Sequence, residues 1–188
     1  MKQAIVIGTM PGREAWLNDC LASLEGCGVE VVTIQSQNFE LSVIELASRL
    51  YDEFIFLPDS TEVLDHVSLV DECFGTTSSV SLSQFPGPYG MYLGKYVSNS
   101  LAQISFPFVR DKLDAVHYET VWTGKYVQIA STKVLGNLPH SDNFVERHGR
   151  LNMVCENHWL RRFKASWNGE TMNDEHQRIQ ELRGLAVR

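Results

Sequence analysis

The stretch AIVIGTMPGREAWLNDCLASLEGCGVEVVTI, residues 4–34, decides the fold. Its first six residues, AIVIGT, are apolar and largely β-branched, which reads as a buried strand. MPGR follows as a turn. From Arg13 onward Leu17, Cys20, Leu21 and Leu24 recur at helical spacing. Gly26 and Gly28 stop that helix, and VEVVTI (29–34) is a second strand. Outward from there, ELSVIELASRL (40–50) places Val43, Ile44, Ala47 and Leu50 on one helical face, and EFIFL (53–57) is a third strand. The first 57 residues therefore read β-α-β-α-β. Strands apolar throughout, alternating with amphipathic helices, imply an α/β fold with a mostly parallel sheet covered on both faces.

The second half is less regular. A helix is expected over EVLDHVSLVDECF (62–74), a strand over SSVSLS (78–83), helices near 96–104 and 109–119, and a strand over KYVQIAS (125–131). QFPGPYGMYLG (84–94) has the composition of a long loop. RLNMVCENHWLRRF (150–163) shows helical spacing at Leu151, Val154, Cys155, Trp159 and Phe163, and the tail 172–187 is amphipathic through Met172, His176, Ile179 and Leu182. No repeat, low-complexity tract or linker divides the chain.

Composition narrows the function. A length of 188 residues, 44% hydrophobic, suits one domain with one sizeable core. The net charge of −7 argues against avid nonspecific binding to nucleic acid. The densest basic cluster, RRFK (161–164), reads first as a solvated helix face. No apolar run approaches the ~20 residues of a membrane span. The N-terminus reads as a strand and not as a signal peptide. None of Cys20, Cys27, Cys73 and Cys155 forms a CxxC pair. Buried, reduced thiols and a cytoplasmic location are expected, with no structural zinc.

In an open parallel sheet, ligands bind beyond the C-terminal strand ends. Two such ends carry chemistry here. After the first strand, the Thr9 hydroxyl and the amides around Gly12 are placed to meet a nucleotide, and Arg13 to fork onto phosphate oxygens. After the third strand, LPDST presents Asp59. A carboxylate beside a phosphate site suits Mg²⁺ or Mn²⁺, which take one or two protein carboxylates and complete their shell with water and phosphate. The competing reading makes Asp59 the cap of a helix beginning near Glu62.

These residues resemble the opening of inverting, family-2-like glycosyltransferases of the GT-A fold. In that family a Pro-Thr-x-x-Arg type turn leads into a Leu-x-x-Cys-Leu-x-Ser-Leu helix, matched here by Leu17, Cys20, Leu21, Ser23 and Leu24. The family's Asp-x-Asp motif, often Phe-Leu-x-Asp-Asp-Thr, stands here as FLPDST (56–61), with Ser60 in place of the second aspartate. The resemblance implies a single GT-A-like domain. Residues 1–83 would form the nucleotide-sugar half and 84–188 the acceptor-side half. It implies transfer of a sugar from a nucleotide-diphosphate sugar, with a uridine diphosphate (UDP) sugar favoured. Thr9, Pro11, Arg13, Asp59 and Ser60 would bind the donor. Mn²⁺ or Mg²⁺ would sit on Asp59, its shell completed by His158 or solvent. A helical Glu-Asp pair of the family has its counterpart in Glu156 and Asn157, which leaves Glu156 as the base, with Asp142 and Glu146 in reserve.

The remaining chemistry of an inverting transfer is exclusion of water. The loop 84–94 would serve as a lid, with Tyr89 and Tyr92 closing over the sugar and Trp122 and Trp159 stacking on it. Each aromatic also reads as core. His117, His140 and His158 read more readily as structural histidines than as ligands, His158 being the favoured ligand among them, and Lys125 reads as a solvated lysine ahead of a diphosphate contact. The acceptor is a glycan, a small molecule or a modified base in DNA, since compact enzymes of this kind occur in bacteriophages. A homodimer is left open. Two other readings compete. One is a sugar-nucleotide nucleotidyltransferase, whose usual Gly-x-Gly-x-Arg loop is only partly matched by Gly8, Gly12 and Arg13. The other is a noncatalytic nucleotide- or sugar-binding module.

Overall fold

Strand β1 (Gln3–Thr9) lies between two parallel neighbours, β2 (Glu30–Gln35) and β3 (Glu53–Pro58), in a computed structural model that describes residues 1–36, 39–83, 92–110, 112–138 and 143–165. Helices α1 (Glu14–Ser23) and α2 (Phe39–Leu50) make the crossovers. The sheet continues with β6 (Gly94–Val97), β5 (Val80–Ser81) and β7 (Lys133–Val134), in the order β2-β1-β3-β6-β5-β7. Only β6 runs against the rest. This is the mixed α/β architecture with a mostly parallel sheet that the apolar strands imply.

Alternation along the strands splits the core in two. Ala4, Val6, Phe54 and Phe56 face α2, α4 (Ser98–Leu101) and α5 (Lys112–Ile129), whose Trp122 and Tyr126 rings stack with centroids 5.5 Å apart. Ile5, Ile7, Ile55 and Leu57 face α1 and α3 (His66–Phe74). The same side receives a second, antiparallel sheet, ordered β4-β10-β9-β8. Its strands are β4 (Thr61–Val63), β8 (Phe144–Arg147), β9 (Arg150–Glu156) and β10 (Leu160–Ala165). Val63, Met153, Cys155 and Leu160 carry its inner face into the core.

Several expectations are corrected. Residues 150–163 form a β-hairpin and not a helix. Both faces of β9 are covered, Met153 and Cys155 by the main core and Val154 by Trp16 and Phe163, so its apolar residues mimic helical spacing. His148 and Gly149 join β8 to β9 with φ of 52° and 71°, the two left-handed residues of a tight hairpin turn. Asn157 closes the next turn, its Oδ1 accepting from the amides of Trp159 and Leu160. Residues 125–129 end α5 instead of forming a strand, because Tyr126 follows Trp122 by one helical turn into the core. The expected helix 62–74 divides into β4 and α3. Asp65 caps α3 by accepting from the Ser68 amide, which removes the capping role from Asp59. The helix expected at 96–104 begins as β6. Gly94 is required there, since a Cβ would lie 2.1 Å from the Val80 carbonyl oxygen. The tail 172–187 lies outside the described residues.

An ion pair is sealed at the opposite end of β3 from Asp59. Lys95 is 1% exposed; its Nζ lies 3.3 Å from Glu53 Oε1 and donates to the Thr76 carbonyl. Glu53 also accepts from Gln3. Removing one member leaves the other buried without its partner, which costs about 3–5 kcal/mol. Lys95→Met is expected to lower stability by that order in urea unfolding. Lys95→Met combined with Glu53→Gln is expected to recover a large part of the loss. A double variant no more stable than the single one would contradict this account of the pair.

All four cysteines are free thiols. Burial pushes Cys20 and Cys73 up to about 12, so neither carries appreciable thiolate near neutral pH. Iodoacetamide at pH 8, followed by mass spectrometry, is expected to label part-exposed Cys27 first and to reach Cys20 and Cys73 only on unfolding. Equal labelling rates in the native protein would contradict the placement of these side chains.

Candidate donor site at the ends of β1 and β3

The parallel register sets Gly8 opposite Pro58, so Thr9 and Asp59 emerge side by side at the C-terminal edge of the sheet. The Asp59 amide donates to the Gly8 carbonyl at 3.0 Å, tying the two ends together. Met10, Pro11 and Gly12 then turn the chain into α1, with Gly12 at a φ of 80° that glycine adopts without strain. Pro11 is exposed in this turn. Arg13, immediately before α1, swings back over the strand ends.

The three side chains converge. Asp59 is 4% exposed. Its Oδ2 accepts from Thr9 Oγ1 at 2.7 Å and from Arg13 Nε at 2.7 Å. Its Oδ1 accepts from Arg13 Nη2 at 2.7 Å and Nε at 2.9 Å. The guanidinium thus grips the carboxylate edge-on through Nε and Nη2. Its Nη1 makes no hydrogen bond among the described residues. The Arg13 Cζ lies 5.5 Å from the Trp16 ring centroid, one turn further along α1. Carboxylate and indole therefore fix the guanidinium, and the Thr9 hydroxyl holds the carboxylate.

Ser60 joins the two sheets: its carbonyl accepts from the Phe163 amide at 2.9 Å. Beyond it, Thr61 and Arg162 face each other across β4 and β10. Thr61 Oγ1 and Arg162 Nε are both buried without a hydrogen-bond partner. The opposite face of the small sheet carries an ion-pair ladder that touches α1. Arg147 Nη2 lies 2.8 Å from Asp19, and Arg147 Nη1 lies 3.6 Å from Glu62. Arg161 bonds Glu62 at 3.2 Å and Glu156 at 2.6 Å. His148 completes the ladder at 2.6 Å from Asp19 and packs edge-on against Trp16. Burial raises the Asp19 pKa, but hydrogen bonds from His148 and Arg147 outweigh it, and the net direction is down.

Other sequence candidates do not join this cluster. Glu156 sits on the outer rung Glu62–Arg161–Glu156, its carboxylate bonded to Arg161, in the position of a structural ion pair. His158 lies in the β9–β10 turn, past the pairing of Leu160 with Val63 and so beyond the end of β4 remote from Asp59. It is 62% exposed and stands 3.9 Å from Glu72. Tyr92 is buried in the core, its ring centroid 6.2 Å from that of Trp122. Trp122 donates to the Ser105 carbonyl and Trp159 to the Ser68 hydroxyl, both from buried positions. His117 and Lys125 are exposed on α5, and Glu146 is exposed on β8. Tyr89, His140 and Asp142 lie outside the described residues. The sequence alone does not single out Trp16, Thr61 or Arg162. The one available signal was alternation in LRRF, which puts one arginine on each face of a strand.

The fit of the implied Mn²⁺ or Mg²⁺ is decided by donors. A hard cation needs several oxygen lone pairs. Both Asp59 oxygens face the Arg13 guanidinium, Ser60 offers only a neutral hydroxyl, and His158 is remote. Among the described residues no three His, Cys, Asp or Glu side chains are grouped to hold an ion. The described residues do not form a divalent-cation site. No described helix is long and apolar enough to cross a membrane.

No protein-family model and no curated protein sequence matches the chain. Solved structures do resemble it. A197 from STIV superposes with a TM-score of 0.51 at 14% identity, over 91% of this chain and 98% of that one. A glycosyltransferase involved in the glycosylation of the major capsid of PBCV-1 gives 0.47 at 12% identity, over 72% and 82%. A mutant Drosophila β1,4-galactosyltransferase 7, in complex with manganese, UDP-Gal and xylobiose, gives 0.46 at 13% identity, over 71% and 64%. At these identities the likeness is one of fold, carried by the first of the three.

Proposed function

We propose that the chain is a glycosyltransferase that receives a nucleotide-diphosphate sugar at the ends of β1 and β3 and transfers its sugar to a hydroxyl acceptor. The supporting observation is the convergence of Thr9 and Arg13 on the Asp59 carboxylate at two adjacent parallel strand ends, which preorganises the Arg13 guanidinium. That is the location where open α/β sheets bind ligands. The free Nη1 edge of Arg13 suits a phosphate oxygen. As the bond between sugar and phosphate breaks, negative charge grows on the departing diphosphate. A cation already fixed in place stabilises that charge without reorganising. Asp59 and Trp16 supply the fixing. Glu156 is a less suitable base than its sequence position implied, because Arg161 holds its carboxylate on the outer face.

A second reading, a binding module without turnover, is favoured by that same engagement of Glu156 and by Ser60 in place of a second aspartate. Incubation with a panel of nucleotide sugars, with glycan, small-molecule and hydroxymethylated-DNA acceptors, separates the two. Saturation-transfer NMR reports binding, and nucleotide release reports turnover. The expected result is binding of a nucleotide-diphosphate sugar with release of the nucleotide. Arg13→Ala is expected to weaken donor binding by roughly 10- to 100-fold, the scale of a charge-assisted hydrogen bond. Arg13→Lys is expected to restore only part of it. Binding without release in every arm supports the module, and absence of binding to any nucleotide sugar would overturn the proposal.

A further inference from the structure

The donor site has a charge balance unlike that of a carboxylate-held metal. Asp59 is the buried anion there, and a guanidinium already covers both its oxygens. A divalent cation on the same oxygens would have to displace Arg13 or stand against it as a like charge. Among the described residues, Arg13 and the adjoining strands β4 and β10 carry three groups that can donate and have no partner. Arg13 retains Nη1. Thr61, 2% exposed, has a hydroxyl without a partner, and Arg162 has a buried Nε without one. Thr61 and Arg162 are directly opposed across the strands, so their Cβ atoms stand roughly 4.5–5.5 Å apart. Thr61 follows Asp59 by two residues.

Buried polar groups in folded proteins are ordinarily satisfied. A buried hydroxyl and a buried guanidinium nitrogen, both unpaired and on directly opposed residues, have donor capacity that an acceptor from outside the chain can use. A second arginine without a carboxylate makes that acceptor an anion. A diphosphate, with oxygens on two linked phosphorus atoms, is the anion that the donor-site reading supplies.

We propose that this chain binds the diphosphate of its donor without a divalent cation, its charge being met by the Arg13 and Arg162 guanidinium groups and the Thr61 hydroxyl. Asp59 is then a positioning residue that aims Arg13. This rests on the donor-site reading above. A metal-free site makes donor affinity depend on ionic strength and on two arginines, and leaves it indifferent to chelators.

Isothermal titration calorimetry of the full chain with UDP, ADP, GDP and inorganic pyrophosphate, each in EDTA and in Mn²⁺, tests it. The expected result is that a nucleoside diphosphate binds in EDTA within about threefold of its affinity in Mn²⁺. Arg13→Ala and Arg162→Ala are each expected to weaken it about tenfold or more in both buffers. Arg162→Gln, with circular dichroism as the check on folding, covers the case in which the alanine variant unfolds. Asp59→Asn is expected to weaken binding equally in the two buffers. A tenfold or greater drop in EDTA, or an Asp59→Asn effect confined to Mn²⁺, would overturn this inference and leave the donor reading standing. Binding of pyrophosphate alone would keep the anion site and overturn the donor reading. Failure of every ligand in both buffers would overturn both.

Discussion

The carboxylate of Asp59 is buried at the point where the large sheet ends and the small one begins, and hydrogen-bond donors surround it. An isolated ionised carboxylate in such a place is costly unless it is paired and hydrogen-bonded. Arg13 and Thr9 supply three donor atoms to its two oxygens. Two separate strand ends and the start of α1 are thereby fixed by one side chain. The next residue, Ser60, accepts from the Phe163 amide and so fixes β10. The position of the small sheet over the large one thus follows from the same few residues that form the candidate site.

Trp16 extends this constraint sideways. Arg13, Arg147, Phe163 and His148 all pack against its ring. An exposed ion-pair ladder contributes little by itself, because salt and side-chain entropy erode it. Placed beside a buried indole, it has a definite geometric role: it holds the outer face of the small sheet against α1. Glu156 belongs to this ladder, which explains a carboxylate at that position without any catalytic duty.

What the sequence discloses follows from how far apart the interacting residues lie. The β-α-β-α-β opening was legible because parallel strands buried on both faces must be apolar throughout, and residues 4–9 and 53–57 are. Thr9, Arg13 and Asp59 were legible as strand-end residues, but nothing in the chain announces that residue 13 forks onto residue 59. The hairpin 150–163 has the spacing of a helix because a strand covered on both faces loses its alternation. The turn at His148 and Gly149 is the sequence signal that separates the two. The C-terminal part of α5 has β-branched residues that favour a strand locally, and packing of Trp122 and Tyr126 overrides that preference. Arg162 was hidden inside a basic run that reads as solvated, and only the strand's alternation separates it from Arg161.

The central claim is that a guanidinium occupies the position beside Asp59 that a metal would otherwise take. A crystal structure of the protein soaked with UDP and Mn²⁺, with data collected at the manganese absorption edge, addresses it directly. The account predicts Arg13 still forked onto Asp59, a phosphate oxygen on its Nη1 edge, and no anomalous peak at the Asp59 carboxylate. An anomalous peak coordinated by Asp59, with Arg13 swung away, would contradict it.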